Sequence, residues 1–423
     1  MIVHKFGGAS VKDVESIKRI PKLLNSNETS EKVFIVISAM GKTTNKLEEI
    51  INAAYKGDDF EDLLFNLKTE HTNVLSQLIN NKEVIDNLNN LFEECKIKVF
   101  ETPKQNYSYF YDQIICYGER ASSFIVYEYL KTLNFDIRHI QAKDLFYTDE
   151  NYRAGNINLK LTQENIQKVI SENKNQFFIT QGFIGRTEKG DSISLGREGS
   201  DYSAGLVAYC ANAKKLIFWK DVDGIYSADP KIFKNSTKIS KISYEEMVEL
   251  SYFGAKVLHE KTLFALREKN ISLFVKSFLY PENEGTELCN NYNHIFNYPI
   301  IRILLKDQIL FTVEPKQKQL IGLNHIEKIY NSAKESNVYI NLIQISATRI
   351  SFCADYHKFT CDDLLYKLNK FFHVKYNNDV TIITLRHYKQ EDFKFYESEF
   401  NILLSQVNRS VAQFVIDTKE IEK

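Results

Sequence analysis

The sequence LGREGSDYSAG, residues 195–205, decides the fold because it joins a loop between two glycines to the start of a closely packed helix. Arg197 and Glu198 stand between the glycines, and Ser200 and Asp201 precede the run of small residues SAGLVAYCANA. Apolar residues at helical spacing predict a helix, and a serine or aspartate directly before them is typical of a helix cap. We therefore expect a loop followed by a capped helix.

The first backbone N–H groups of such a helix have no partner within it, and together with the helix dipole they favour a bound anion. Ser200 and Asp201 are therefore candidates for a site that binds a phosphate or a carboxylate. The alternative is that both residues only cap the helix. A strand and an extended loop follow at residues 217–231, IFWKDVDGIYSADPK, and the stretch ends with YFGAKVLH at residues 252–259.

The N-terminal segment predicts a second anion site. MIVHKF has the pattern of a short strand, Gly7 and Gly8 form a turn, and VKDVESIKRIPKLL has the pattern of an amphipathic helix. Consecutive glycines allow backbone N–H groups to approach phosphate oxygens, and Lys5 adds a positive charge at the end of the strand. Glycines between a strand and a helix can also serve the turn alone.

The apolar sequence KVFIVISAM predicts a central strand of a parallel sheet, followed by Ser38, Thr43 and Thr44 at its carboxyl end. Open α/β sheets bind ligands at this edge. The sequence GKTT at residues 41–44 is not a P-loop, because Val36 stands where that motif requires glycine. As isolated residues, the serine and the threonines can also be turn formers.

Helical patterns dominate from about residue 47 to residue 129, and Glu119 lies near the start of the last helix. Its carboxylate can bind a ligand, or it can simply complement the helix dipole. Further strands are predicted in FDIRHI, NQFFITQGFIG, KLIFWK and ISLFVKSF. Strands that alternate with helices predict an α/β fold with a mostly parallel sheet and helices on both faces.

The composition excludes several classes of protein. Basic and acidic residues nearly cancel to a net charge of −1, so the charge excess of nucleic-acid-binding or membrane-binding proteins is absent. The six cysteines form no CxxC pair and are expected to be reduced and buried. No apolar segment is long enough for a membrane span, and the N-terminus lacks a signal-peptide pattern. We expect a cytoplasmic protein.

Several motifs resemble, in this order, those of aspartate kinases, which are members of the amino-acid kinase superfamily: KFGGAS, SAMGKTTN, YGE, ITQGFIG, LGREGSDYSA, WKDVDGIYSADP and FGAKVLH. The resemblance covers roughly residues 1–290 and implies the amino-acid kinase fold. It implies a monofunctional enzyme that uses ATP to phosphorylate the side-chain carboxylate of L-aspartate, the first step towards lysine, threonine and methionine. Mg²⁺ is expected to arrive with ATP, without a metal site of its own.

The resemblance also assigns residues to three groups. The implied catalytic residues are Lys5 and Asp201. The implied aspartate pocket contains Ser38, Thr44, Glu119, Phe183, Arg197 and Ser200. The implied nucleotide contacts are Gly7, Gly8, Lys220, Asp221, Tyr226, Lys231 and Lys256. Within the pocket, Glu119 is expected to receive the amino group of aspartate, and Arg197 is expected to clamp a carboxylate.

Three positions depart from the commonest motifs of the family. Ala9 stands where threonine is frequent, so a hydroxyl group is absent from the phosphate loop. Glu198 stands where many members have glycine, which adds a negative charge beside the substrate. Glu260 replaces a frequent proline. None of these changes removes a charged residue that the chemistry needs.

The C-terminal part has a different pattern, in which strands and helices follow the βαββαβ order of a ferredoxin-like fold. IIRILLKDQILFTVEP predicts two strands around a turn, and Thr360 with Asp363 predicts a capping pair at a helix start. The pattern resembles the ligand-binding ACT modules of this family, with one full module and a shortened second copy. We expect a catalytic domain at residues 1–290 and a regulatory region at residues 291–423.

The ACT resemblance implies an amino-acid effector and a homodimer that forms through these modules. Asn341 and Ser346 match the effector-binding strand, but lysine-sensitive relatives often have aspartate in place of Asn341. Loss of that carboxylate weakens the recognition of a cationic side chain, so we expect altered or absent inhibition by lysine. Two other functions stay open: a kinase for another amino acid such as glutamate, and a catalytically silent amino-acid sensor.

Overall fold

The computed structural model describes residues 1–25, 31–255, 258, 260–290, 297–317 and 319–421. These residues form two compact units. The first unit lies within residues 1–225, 239–248 and 257–296, and the second lies within residues 226–238, 249–256 and 297–423. In the described ranges, no helix combines the length and the apolar character needed to cross a bilayer.

Strands and helices alternate along the first part of the chain. The strands before residue 291 are β1 (Ile2–Phe6), β2 (Val33–Ile37), β3 (Ile137–His139), β4 (Phe177–Gln181), β5 (Ile184–Arg186), β6 (Ser192–Ser194), β7 (Lys215–Lys220), β8 (Ile225–Tyr226), β9 (Lys238–Ile239), β10 (Lys241–Ser243), β11 (Ser272–Ser277) and β12 (Thr286–Cys289). The helices are α1 (Val14–Asn25), α2 (Thr43–Lys56), α3 (Glu61–Leu78), α4 (Lys82–Glu101), α5 (Tyr107–Ile115), α6 (Tyr117–Thr132), α7 (Ala142–Leu145), α8 (Leu159–Glu172), α9 (Gly199–Cys210), α10 (Tyr244–Tyr252) and α11 (Glu260–Glu268). A 3-10 helix covers Gly8–Val11.

An eight-stranded sheet in the order β10-β12-β11-β7-β1-β2-β4-β3 forms the centre of the first unit. Its neighbouring strands are parallel except for the antiparallel pair β11 and β12. Strands β1 and β2 are buried along their whole length, because β1 lies between β2 and β7 and because most of their side chains are apolar. The buried polar exceptions are His4 and Lys5 of β1. The prediction of an α/β fold with a mostly parallel sheet is confirmed.

The second unit is built on a six-stranded antiparallel sheet in the order β14-β15-β13-β16-β18-β17. Its elements are β13 (Ile301–Pro315), α12 (Leu323–Glu335), β14 (Ile340–Ile345), β15 (Ile350–Asp355), α13 (Lys358–Leu368), β16 (Phe372–Arg386), α14 (Gln390–Glu399), β17 (Ile402–Val407), β18 (Val411–Asp417) and a 3-10 helix, Thr418–Glu420. The first six elements follow the predicted βαββαβ order. Helix α14 and two strands then extend the same sheet.

The prediction of two strands around a turn at residues 300–315 is wrong. The region forms one strand, β13, which pairs with β16 on both sides of a shift in register between Leu305 and Gln308. Asp307 lies in this shift with a φ of 57°. A single left-handed residue bends a strand without ending it when the partner strand continues, so β13 is a bulged strand and not a hairpin.

The predicted capping pair of Thr360 and Asp363 is also wrong. Helix α13 begins at Lys358 with His357 as its N-cap, and the Thr360 hydroxyl donates to the carbonyl oxygen of His357 at 3.1 Å. The Asp363 carboxylate instead accepts a hydrogen bond from Ser336 and lies 2.9 Å from the Lys367 ammonium group. Tertiary partners and a helix that begins earlier in the chain replace the local capping contact.

Close packing of helix α9 against α11 depends on Gly205, and it generates a stability prediction. A Cβ atom at Gly205 would lie 2.6 Å from the Thr262 Cγ2 atom. We expect Gly205→Ala to lower the free energy of unfolding by about 1–3 kcal/mol, because overpacking outweighs the better helix propensity of alanine. Thermal unfolding measures the effect. The double variant with Thr262→Ser, which removes the clashing methyl group, should regain most of the loss; a Gly205→Ala protein more stable than the parent contradicts the prediction.

Candidate active site

A cleft of about 500 Å³ opens in the first unit, beside the carboxyl ends of strands β1, β2 and β4. Its walls contain residues that are far apart in sequence. The walls include Lys5, Gly8, Ser38, Thr44, Glu119, Phe183, Arg197, Ser200 and Asp201. The fold thus brings both residues predicted to be catalytic, and all six predicted for the substrate pocket, to one concave surface.

A buried ion pair lies in this cleft. The Lys5 ammonium group at the end of β1 contacts the Asp201 carboxylate in the first turn of α9, and both residues are at most 8% exposed. The Lys220 ammonium group lies 3.8 Å from the other oxygen of Asp201. Two cations therefore flank one carboxylate, and the excess positive charge favours a bound anion.

The glycine loop after β1 lies against the loop after β2. A Cβ atom at Gly8 would stand 2.9 Å from the Ala39 carbonyl oxygen and 3.0 Å from that of Gly41, so this close approach requires glycine. The Gly41 N–H group donates to the Gly8 carbonyl oxygen at 3.1 Å. The N–H groups of Gly8 and Ala9 begin the 3-10 helix and have no acceptor within it, which leaves them available to an anion.

Glu119 is a buried carboxyl group with one unused oxygen. It lies in the first turn of α6, where its Oε1 atom accepts a hydrogen bond from the Ala39 N–H group at 3.3 Å. Its Oε2 atom is buried and has no hydrogen-bond partner among the described residues. Burial raises the pKa of Glu119 to about 8, and the hydrogen bond from Ala39 and the charge of Lys5 offset only part of this rise. The side chain is suited to a cationic partner that would complete its bonding.

The loop before α9 positions Arg197 at the cleft. Its neighbours Gly196 and Glu198 have φ values of 78° and 54°, and Glu198 is the N-cap residue of α9. The prediction that Ser200 or Asp201 caps this helix is wrong, because the helix begins at Gly199 and both residues lie within its first turn. Burial beside Lys5 uses the Asp201 carboxylate for an ion pair, so it cannot serve as a local cap.

The remaining pocket residues are positioned by backbone contacts. The Phe183 N–H group donates to the Ser203 hydroxyl at 2.9 Å, and Phe183 has a left-handed φ of 69°. The Ser38 carbonyl oxygen accepts a hydrogen bond from the Ser122 hydroxyl at 2.6 Å. Thr44 lies in the first turn of α2. These contacts anchor the loops after β4 and β2, so that each side chain lines the cleft.

The cleft also contains Glu48, Tyr111 and Arg153, which were not predicted from the sequence. The Tyr111 hydroxyl donates to the Glu48 carboxylate at 2.7 Å, and the Arg153 guanidinium group lies over the Tyr111 ring at 4.6 Å from its centre. They come from α2, α5 and the loop before α8, which have no recognisable motif. A sequence signal for them is absent, because only the packing of these elements brings them together.

The residues predicted to contact the nucleotide are more widely spread over the structure than those predicted for the aspartate pocket. Gly7 adjoins the glycine loop, and Lys220 reaches Asp201 from the end of β7. Asp221 is exposed directly after β7, whereas Tyr226 and Lys231 belong to the second unit. Lys256 lies outside the described residues, as do Val257 and His259 of the same motif. Apart from Gly8, the residues of this group that the structure describes do not line the cleft.

The predicted effector residues lie on and after strand β14 of the second unit. The Asn341 amide donates to the Gln308 side-chain oxygen and to the Asp355 carboxylate, at 2.8 Å in both cases. The Ser346 hydroxyl donates to the carbonyl oxygen of Arg349 at 3.1 Å. The side chain of Asn341 therefore belongs to a small polar cluster whose single carboxylate comes from the neighbouring strand β15.

Comparison with known proteins places the geometry in context. Residues 1–277 match the model of the amino acid kinase family. The chain is 31% identical over 315 residues to the aspartokinase of Chlamydia trachomatis, which covers 74% of this chain and 70% of that protein. It is 30% identical over 392 residues to the bifunctional aspartokinase/homoserine dehydrogenase of Buchnera aphidicola, which covers 89% of this chain. The chain spans about half of that bifunctional protein, 47% of its length.

A solved structure resembles the whole fold. Aspartokinase III of Escherichia coli, crystallised with aspartate and ADP in its R-state, superposes with a TM-score of 0.85 at 25% sequence identity. The superposition covers 100% of this chain and 97% of that one. The similarity therefore extends beyond the first unit to the C-terminal antiparallel sheet.

The buried carboxyl group generates a prediction about stability and pH. Because the folded-state pKa of Glu119, about 8, is above the ordinary value of 4.5, the folded protein retains a proton that the unfolded chain releases. The stability contributed by this group is complete below the unfolded pKa and is lost as the pH rises through the folded one. We expect Glu119→Gln to raise the thermal midpoint by several degrees at pH 8.5 and much less at pH 5.5.

The matched control is Glu15→Gln, which removes an exposed carboxylate on α1. Its effect on the thermal midpoint should be the same at both pH values. If the Glu119→Gln variant gains as much stability at pH 5.5 as at pH 8.5, Glu119 is not protonated in the folded state.

Proposed function

The chain belongs to the amino acid kinase family and, within it, to the aspartokinases, and we propose that it transfers the γ-phosphoryl group of ATP to the side-chain carboxylate of L-aspartate. The products are ADP and 4-phospho-L-aspartate. One observation carries the proposal: a single cleft contains a buried lysine–carboxylate pair, a buried glutamate with an unused oxygen, and an arginine. The glutamate suits the amino group of aspartate, the arginine suits its α-carboxylate, and the lysine suits the phosphoryl group of ATP.

The cleft supplies a partner for the amino group of aspartate. The Oε2 atom of Glu119 lacks a hydrogen-bond donor among the described residues, and an ammonium group would provide one. The positive charge would also lower the raised pKa of this carboxyl group, so that substrate binding ionises it. At neutral pH the binding of aspartate is therefore accompanied by release of the Glu119 proton.

A guanidinium group suits a substrate carboxylate, because it donates two parallel hydrogen bonds in one plane. Arg197 lies at the mouth of the cleft, where it is exposed, and the left-handed loop residues beside it fix its backbone. We assign it to the α-carboxylate. The side-chain carboxylate is then left for the buried end, near Lys5.

Transfer of the phosphoryl group requires neutralisation of negative charge and does not require a general base. An aspartate carboxylate is already ionised at neutral pH, so the acceptor has no proton to lose. Transfer brings two anions together, and Lys5 and the N–H groups of the glycine loop would stabilise the charge that spreads over the phosphoryl oxygens. Asp201 keeps the Lys5 ammonium group in position through the buried ion pair. His4 is not needed, since burial lowers its pKa to about 3 and keeps it neutral.

ATP use is a property of the family, and Mg²⁺ is proposed to enter with the nucleotide. Oxygen atoms are the ligands that Mg²⁺ prefers, and the phosphates would provide most of them; Asp201 is the carboxylate that lies between Lys5 and Lys220. The ion would neutralise charge on the transferred phosphoryl group. We assign the nucleotide contacts to Gly7, Gly8, Lys220, Asp221, Tyr226, Lys231 and Lys256.

We further propose a catalytic domain at residues 1–290, a regulatory region at residues 291–423, and a homodimer formed through the regulatory region. The C-terminal sheet supports an amino-acid effector site at Asn341 and Ser346, on and after strand β14. All six cysteines are free thiols, which fits the reducing environment of the cytoplasm.

The activity is tested by measuring aspartate-dependent formation of ADP, with hydroxylamine to trap the acyl phosphate. We expect activity in the parent chain and a loss of about 100- to 1,000-fold in Lys5→Ala, because a cation at the phosphoryl group is removed. Lys5→Met keeps the volume of the stem and should lose as much activity, which separates charge from packing. The control is Lys18→Ala on the exposed face of α1.

Two results would contradict the proposal. Higher kcat/KM for glutamate than for aspartate would favour a kinase for another amino acid. A folded parent chain without any amino-acid-dependent ADP formation would favour a silent sensor.

The effector proposal generates a separate prediction about lysine. Asn341 lacks the negative charge that would attract a cationic side chain, and its amide is already bonded to Gln308 and Asp355. We expect the aspartate-dependent activity to be insensitive to low lysine concentrations, and Asn341→Asp to increase the sensitivity. Asn324→Asp, an exposed change on α12, is the control. Strong inhibition of the parent by low lysine would contradict the prediction.

A further inference from the structure

Arg153 has an unusual backbone conformation at the wall of the cleft. Its φ is 70°, in the left-handed region that residues other than glycine seldom adopt. The fully buried Asp112 carboxylate maintains this conformation by accepting a hydrogen bond from the Arg153 N–H group at 2.7 Å. A strained residue that the surrounding structure stabilises is often found at a functional site.

The side chain of Arg153 is also positioned by its surroundings. Its guanidinium group lies over the rings of Tyr111 and Tyr107, at 4.6 and 5.6 Å from their centres. Its charge acts on the nearby buried Asp112 carboxyl group, but within the ranges that the structure describes no carboxylate lies within ion-pair distance of its guanidinium group. Stacking on two rings orients a planar cation while leaving its N–H donors free for an anion.

Arg153 is next to the loop that carries Arg197. A Cβ atom at Gly196 would lie 3.2 Å from the Arg153 carbonyl oxygen, so the two loops are in direct contact. Lys5 is surrounded by different residues, namely Asp201 and Phe218. The loops that carry Arg153 and Arg197 therefore contact each other, and both side chains line the cleft that also contains Lys5.

The balance of acidic and basic side chains in the walls of the cleft indicates a role for the Arg153 guanidinium group. The acidic residues of the walls are Glu48, Glu119, Glu198 and Asp201, and the basic residues are Lys5, Arg153 and Arg197. Without Arg153, two cations would face four acidic side chains. Lys5 is already paired with Asp201, so Arg197 alone would be left to attract a doubly carboxylated substrate past Glu198.

We propose that Arg153 is a substrate-binding residue that binds the α-carboxylate of the acceptor together with Arg197 and thereby selects acceptors with a free α-carboxylate. The inference rests on the proposed function. It predicts that Arg153 affects the affinity for aspartate and leaves the affinity for ATP and the rate of transfer nearly unchanged. The α-carboxylate of the acceptor does not react, so a residue that binds it contributes equally to the ground state and the transition state.

The test replaces Arg153 by glycine, the residue that suits a φ of 70°, so that the guanidinium group is lost without backbone strain. We expect the KM for aspartate to rise about 10- to 100-fold, and the KM for ATP and kcat to stay within about twofold. Asn134→Gly is the matched control, because Asn134 is an exposed residue with a φ of 60° on the turn after α6. It should leave both KM values unchanged.

A second acceptor identifies the group that Arg153 binds. The α-amide of aspartate keeps the reacting carboxylate and loses the charge at the α position, so the parent enzyme should bind it much more weakly than aspartate. In Arg153→Gly the ratio of the KM for the amide to the KM for aspartate should shrink by the same factor by which the KM for aspartate rises. If Arg153→Gly raises the KM for the amide by the same factor as the KM for aspartate, the inference is overturned.

The remaining outcomes are also decisive. An active Arg153→Gly enzyme with the parent KM for aspartate, or one in which the KM values for aspartate and ATP rise together, overturns the inference and leaves the proposed function intact. A parent chain that forms no ADP with aspartate overturns the proposed function, and the inference falls with it.

Discussion

The ion pair between Lys5 and Asp201 is buried at the place where strand β1 ends and helix α9 begins. Removing two charges from water costs several kcal/mol per ion, and the pair is tolerated because the partners contact each other directly. The constraint is mutual: β1 must end beside the first turn of α9, and the helix cannot use Asp201 as its cap. The rest of the cleft depends on this meeting point, since the glycine loop follows β1 and the Arg197 loop precedes α9.

Glu119 illustrates the conflict between stability and binding. A buried carboxyl group with an unused oxygen destabilises a folded protein, and an apolar residue would pack in its place at lower cost. The parallel sheet and the helical layer tolerate this cost because their cores are extensive and largely apolar, as in strand β2. Left-handed residues such as Phe183 and Glu198 add local strain at the same site. Backbone strain and a buried polar atom without a hydrogen-bond partner are thus both found where a ligand can bind.

The C-terminal sheet is built around two long strands. Strands β13 and β16 are both 15 residues long, and they pair along nearly their whole length. Each contains an aspartate in a left-handed conformation, Asp307 and Asp379, and these residues lie beside the paired positions Gln308 and Val380. The two long strands therefore bend at the same point. On one side of the bend the sheet continues through β15, and on the other side it continues through β18.

The sequence by itself determined the elements whose signals are local. Apolar strands, glycine turns and helical periodicity predicted the parallel sheet, and the resemblance of the motifs to those of aspartate kinases predicted the groups of the cleft, including Lys5, Glu119 and Arg197. Such signals come from residues that are close together in the chain. Only the tertiary structure decided how those groups interact. The pairing of Lys5 with Asp201, the unused oxygen of Glu119, the continuity of β13 and the entry of Arg153 into the cleft all depend on contacts between distant segments, which no local pattern encodes.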